Sequence, residues 1–211
     1  DRFVFWLIAS MIFIVSLIVN IFQATARIAS IFTNQGLHME YCIRSLYSIF
    51  LVGAFAGLRH LPRFNIAGFD ILQRYARERK SLVILCNHVS YADWVVLLAL
   101  TSQCGSMGGA AKIVTRDIVK SIPGIGWSTV LGRYPILSRS WDKDMATLAD
   151  IIAQYNKENV MGIPSWIFIF PEGTFVDDTC DSRITKSKEF CRDNDIEQYT
   201  HVLCPRERGT N

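Results

Sequence analysis

Leu82-Val83-Ile84-Leu85-Cys86-Asn87-His88-Val89-Ser90-Tyr91-Ala92-Asp93-Trp94 is the stretch on which the reading of this chain turns. Its apolar first half predicts a strand over Ser81 to Cys86. A second apolar run, Val95 to Leu100, follows, so Tyr91 to Leu100 reads as a helix with Ser90 as its N-cap. A strand that ends in Asn-His and hands over to a helix carrying Asp93 sets an imidazole and a carboxylate at one corner. There the first can serve as a general base and the second can orient it. Alone, a histidine five residues before an aspartate is a weak signal, and a structural histidine bonded to a strand end is its rival.

The same architecture recurs along the chain. Trp166 to Phe170 is a continuous apolar strand followed by Pro171-Glu172-Gly173-Thr174. Ala110 to Thr115 reads as a strand. Arg133 to Leu137 reads as a short one, weakened by Pro135, with Arg139 just beyond it. Val202-Leu203-Cys204 begins another and is followed by Pro205-Arg206. Between them lie helices over Trp141 to Asn156 and Ser187 to Asp193. Gly105, Gly108 and Gly109 mark a turn, Pro123 to Trp127 a loop, and the charged run Gln73 to Lys80 a polar connector. Strands without polar alternation, separated by helices, predict a mixed α/β fold. Its largely parallel sheet would be covered on both faces and flanked by helices. In such a sheet the carboxyl ends of the strands share one edge, where ligands bind. Glu172, Arg139 and the Pro205 turn are thereby expected beside His88.

Working back from the strand, the composition changes at Asn65. Phe3 to Phe22 is almost unbroken apolar sequence, interrupted by Ser10, Ser16 and Asn20. Some 20 residues at helical rise span roughly 30 Å, the hydrocarbon thickness of a bilayer. A signal peptide has a shorter apolar core and a cleavage site. Ala24-Thr25-Ala26 keeps that alternative open, and a buried soluble helix is the other. A second apolar segment, Leu46 to Leu58, suits an interfacial helix or the second arm of a hairpin. Small residues at Gly53, Ala54, Ala56 and Gly57 permit close helix approach. The expected division is membrane-anchoring helices over 1–62 and an α/β domain over 63–211.

Half of the 211 residues are hydrophobic, and much of that excess lies in the first sixty. The net charge of +3 suits an anionic membrane surface or phosphate-bearing substrates. No basic stripe with interleaved aromatics is present, which argues against a nucleic-acid partner. The six cysteines form no Cys-x-x-Cys pair and none stands with histidine at zinc-ligand spacing. No metal site is expected, and the thiols read as reduced.

Together these blocks resemble the glycerolipid acyltransferase family that includes the 1-acylglycerol-3-phosphate acyltransferases. Asn87-His88-x-x-x-x-Asp93 is similar to its His-x4-Asp motif, Tyr134-Pro-Ile-Leu-Ser-Arg139 to its second block, Phe170-Pro-Glu-Gly-Thr174 to its third and Val202-Leu-Cys-Pro205-Arg206 to its fourth. Arg116 with Pro123-Gly-Ile-Gly-Trp127, and Ser138-Arg-Ser-Trp141, resemble the lysocardiolipin and lysophosphatidylinositol acyltransferase subgroup. That family commonly has lysine where Arg116 stands. The resemblance implies acyl transfer from acyl-CoA, with no cofactor, to the hydroxyl of lysophosphatidic acid, lysocardiolipin or lysophosphatidylinositol. In that chemistry His88 would be the general base and Asp93 its orienting acid. Arg116 and Arg139 would bind phosphate, and Glu172, Gly173, Thr174 and Pro205 would line the acceptor site.

A phospholipid–lysophospholipid transacylase is a same-class alternative, and an inactive lipid-binding membrane protein is one of another class. A Ser90–His88 hydrolase lacks a Gly-x-Ser-x-Gly elbow. The resemblance further implies an integral membrane protein of the endoplasmic reticulum, with the mitochondrial outer membrane as the alternative. In the family the fourth block continues with Thr and Gly-Phe. Arg206-Glu207-Arg208-Gly209-Thr210 stands there instead, which implies a C-terminally incomplete domain.

Overall fold

The computed structural model describes residues 2–57, 66–90, 92–138, 140–173, 181–198 and 203–204. In chain order the elements are α1 (Arg2–Phe32), α2 (Gln35–Gly57), α3 (Phe69–Arg77), β1 (Leu82–Leu85), α4 (Asp93–Gln103), β2 (Ala111–Ile113), β3 (Thr115–Arg116), α5 (Ile125–Leu131), β4 (Ile136–Leu137), α6 (Trp141–Val160), β5 (Trp166–Ile169) and α7 (Asp181–Asp193). Short 3-10 turns cover Gly105–Ala110 and Asp117–Ser121.

The fold is mixed α/β with parallel sheets flanked by helices, as the strand pattern predicts. The larger sheet has the order β1-β5-β2, and β3 pairs with β4 in a second, two-stranded sheet. Leu82 lies opposite Trp166 and Leu85 opposite Ile169, while Ala111 faces Trp166 from the other side. A central strand has no polar face to spare, and Trp-Ile-Phe-Ile answers that need: Trp166 and Phe168 are fully buried. The Trp166 indole N–H donates to Lys80 O at 3.0 Å. Along the edge strand β1 the expectation of two covered faces fails. Val83 and Leu85 are 65% and 68% exposed.

Several sequence boundaries move, each for a local reason. The expected strand Ala110 to Thr115 splits into β2 and β3. Val114 N–H makes the last bond to β5, at Phe168 O, and Thr115 N–H turns to Pro135 O, both at 2.9 Å. Pro135 has no N–H to give, so the strand expected from Arg133 shrinks to Ile136–Leu137. The connector expected over Gln73 to Lys80 is largely helix. Phe69, Leu72 and Ala76 form its inner stripe against the core, and the first two lie before the charged window. Helix α5 starts inside the loop expected over Pro123 to Trp127, α6 runs on to Val160, and α7 begins at Asp181. Leu203 and Cys204 are buried but form no strand. The Cys204 N–H donates to the Ser187 hydroxyl at 2.7 Å instead of to a ladder.

Helices α1 and α2 form a hairpin, and both are long and apolar enough to cross a membrane. The second arm also packs on the α/β layer. A Cβ on Gly109 would stand 2.3 Å from Tyr41 O, and Phe55 meets the Trp94 ring edge-on at 5.3 Å. A polar seam runs between them. Glu40 accepts from Arg27 at 3.0 Å and from Arg44, Arg44 Nε donates to Gly109 O at 3.1 Å, and Lys112 Nζ donates to Gly132 O.

Candidate active site

The parallel pairing of β1 with β5 brings two strand ends to one edge. Cys86 N–H still donates to Ile169 O, at 2.9 Å; beyond it the chain leaves the sheet and turns into α4. Asp93, the first residue of that helix, reaches back over the turn. Its Oδ2 meets His88 Nδ1 at 2.8 Å and accepts the backbone N–H groups of Val89 at 2.9 Å and Ser90 at 3.1 Å. An ionised carboxylate only accepts, so Nδ1 carries the ring hydrogen and Nε2 is the nitrogen with a lone pair.

Ser90 is not the N-cap. Ala92 precedes α4 and no side chain caps it. The Ser90 hydroxyl accepts instead from Ala92 N–H, at 3.1 Å. Asp93 instead collects N–H groups from the turn before the helix, those of Val89 and Ser90.

From β5 comes the opposing wall. Gly173 N–H donates to Phe170 O at 3.1 Å, closing a tight turn in which Gly173 has φ 68°, a conformation that suits glycine. The turn directs Glu172 inward, where it is 5% exposed and its Oε2 accepts the His88 backbone N–H at 3.1 Å. Burial raises the Glu172 carboxyl above its ordinary range; the Asp93 charge adds to this and the His88 N–H offsets it. The Phe170 ring stacks on the imidazole, with centroids 4.3 Å apart and planes 23° from parallel. Burial, helped by Asp93, also raises the Cys86 thiol, so it stays protonated at neutral pH.

Of the residues singled out in the sequence, His88, Asp93, Glu172 and Gly173 come together here. Arg116 ends β3, past the carboxyl end of β2 and opposite Leu137, and is exposed. Arg139, Thr174 and Pro205 lie outside the described residues. Next to Arg139, the N–H and hydroxyl of Ser138 donate to Asp144 Oδ1 at 2.7 and 2.8 Å, which ties that loop to the first turn of α6. The sequence reading missed Phe170 as a platform and Asp93 as the organiser of the turn. The register of β1 against β5 carries the first, because it sets Phe170 beside the chain leaving Cys86. Among the described residues no group of three or more His, Cys, Asp or Glu is placed to hold a metal ion.

The family described as Acyltransferase matches residues 65–194. The 1-acyl-sn-glycerol-3-phosphate acyltransferase 2 of Brassica napus is 29% identical over 131 residues, 62% of this chain and 32% of the relative. Its namesake in Arabidopsis thaliana is 27% identical over 202 residues, 93% of this chain and 49% of the relative. Lysocardiolipin acyltransferase 1 of Mus musculus is 29% identical over 127 residues, 60% and 32%. The chain thus spans a third to a half of the length of these relatives. No solved structure matches it.

Proposed function

The chain belongs to the Acyltransferase family, and from that premise we propose that it moves a fatty acyl group from acyl-CoA to the free hydroxyl of a lysophospholipid, with His88 as general base. The observation that carries the reading is the 2.8 Å bond from His88 Nδ1 to Asp93. It turns Nε2 into the proton acceptor. A glycerol hydroxyl is a weak nucleophile, and a base within hydrogen-bond reach raises its reactivity as it attacks.

The acceptor oxygen forms a bond to the thioester carbonyl carbon while its proton passes to Nε2. The tetrahedral intermediate then collapses, the carbon–sulfur bond breaks, and the imidazolium returns the proton to the departing thiolate. Asp93 holds the tautomer and stabilises the imidazolium, as the acid does in a Ser-His-Asp triad. No protein hydroxyl is consumed, because the substrate brings its own. Arg116 and Arg139 supply charge-assisted bonds to the acceptor phosphate. The turn from Glu172 through Thr174, with Pro205, shapes the space for its glycerol.

The choice of acceptor follows the names of the relatives, which span lysophosphatidate and lysocardiolipin chemistry. The test is a panel of lysophosphatidic acid, lysocardiolipin and lysophosphatidylinositol, each offered with several acyl-CoAs to the full chain in mixed micelles. CoA thiol release that requires a lysolipid supports the proposal. Acyl movement from a phospholipid without acyl-CoA would assign a transacylase. Lysolipid binding without any turnover would replace the enzyme with a lipid-binding protein.

A further inference from the structure

Polar side chains within an apolar helix have to be turned away from lipid, and α1 shows what they are turned toward. Ser16, Asn20 and Gln23 are 0%, 7% and 1% exposed. Asn20 Nδ2 donates to Gly124 O at 2.8 Å, and Asn20 Oδ1 accepts from the Ser128 hydroxyl at 2.9 Å. The approach is close. A Cβ on Gly124 would stand 2.6 Å from the Ser16 Cβ, and Gly124 has φ 77°. An element of the α/β domain, α5, is therefore latched to α1 beside the C-terminal part of its apolar run.

At that level the other flank of α1 is bare. Ile14, Ile18 and Ile21 are 55%, 49% and 67% exposed. The outer face of α5 is apolar as well. Trp127 and Val130, three residues apart and so on one face, are 54% and 48% exposed. Ile118 and Ile122 in the turn before α5 are 66% and 44% exposed. Grouped exposed apolar side chains mark an interaction site, and those on an element latched to a membrane helix share that helix's solvent. Exposed charges rim it at Arg116, Asp117 and Lys120, and tryptophan is the residue enriched where lipid meets water.

We propose that the outer face of α5 and the turn before it insert into a phospholipid bilayer alongside α1, with Trp127 in contact with lipid. The α/β domain then touches the membrane through its own residues as well as through the hairpin. Arg116, two residues before Ile118, is held at headgroup level. The inference rests on the membrane reading of α1 and not on the chemistry at His88.

The test uses the full chain reconstituted in phosphatidylcholine vesicles, with and without brominated acyl chains, in a Trp6→Phe background that removes the tryptophan of α1. Trp94, Trp141 and Trp166 are common to every sample, so adding Trp127→Phe isolates one residue while keeping an aromatic ring there. The expected result is brominated-lipid quenching that Trp127→Phe abolishes in large part, from a component that aqueous iodide does not reach. Quenching unchanged by Trp127→Phe, or a Trp127 component open to iodide in vesicles, would overturn the proposal. Protection from both quenchers would overturn it too, by showing the face covered with protein. Thiol release on the same vesicles reports on His88 separately, so either reading can fail alone.

Discussion

At the carboxyl ends of β1 and β5, the side chains of His88 and Asp93 remain 24% and 21% exposed. Under α2, Glu40, Arg44 and Lys112 are 1%, 5% and 0% exposed. Both clusters hold acids and bases at hydrogen-bond distance, yet their environments give them different work. In the seam a charge away from water has to be matched by the protein. Glu40 is engaged by Arg27 and Arg44, and Lys112 donates to Gly132 O. Such groups fix α2 against β2 and the 3-10 turn before it. At the strand ends the carboxylates are spent on the turn itself, and the imidazole they hold stays partly open to a substrate. A latch and a site can therefore be built from the same residue types, and exposure separates them.

The largest effect that would break this contrast belongs to the open cluster. His88→Ala should lower lysolipid-dependent thiol release by about 10³-fold or more, within the range for loss of a general base, while the thermal midpoint in micelles stays near that of the parent. Release that survives would return His88 to a structural role. Asp93→Asn should lower kcat by about 10²-fold, since the amide keeps the shape but loses the charge facing the imidazolium. It should also cost about 1–3 kcal/mol in stability, because Val89 and Ser90 N–H lose a charged acceptor. An unchanged kcat with that lower midpoint would make Asp93 a brace for the turn and nothing more.

At a second buried polar contact, between α1 and α5, the signature inverts. Asn20→Leu leaves Gly124 O and the Ser128 hydroxyl without their partner on α1. It should cost about 1–3 kcal/mol, seen as a lower thermal midpoint, with turnover at low temperature retained. A fall in turnover without a fall in midpoint would mean that this interface takes part in the reaction.

The same division explains what could be read from the sequence. Strands β1 and β5 were legible because two apolar runs ending in polar turns need no partner to be recognised, and α4 was legible as a helix but not at its first residue. His88, Asp93 and Glu172 inherit that legibility, because parallel pairing alone puts strand ends on one edge. The seam was not legible. Glu40 and Arg44 are one helical turn apart, but Lys112 lies far from both in sequence, and nothing local says that α2 will lie over it. Phe170 counted as the last apolar residue of a strand until the register set its ring against His88. Gly124 read as a loop glycine, and only the approach of Ser16 shows why the position has no side chain. Leu203 was misread for a related reason: a short apolar run suits a strand, but here Leu203 is buried outside any ladder, and Ser187 of α7 takes the next N–H.

The smallest expected effect tests whether the seam is held by its charges or in spite of one. Lys112 lies opposite Ile167 in the sheet, with its ammonium over the rings of Tyr134 and Tyr155 at 5.6 and 5.4 Å. Its pKa falls well below the ordinary 10.5, foremost through burial; the charges of Arg44 and Arg133 act the same way, and Glu158 and Glu40 oppose them. Between the lowered folded value and the ordinary one, the unfolded chain binds more protons, so this residue's contribution makes stability rise with pH across that window. Its cost is full below the folded value and vanishes above the unfolded one. Lys112→Met keeps the bulk and removes the titration, so the variant should be more stable than the parent by about 1–2 kcal/mol at pH 7. That advantage should shrink steadily as the pH is raised toward 10.5. A variant less stable than the parent throughout would show that Glu40 and Glu158 more than offset the desolvation of Lys112, and that the seam is an ion-pair network in its own right.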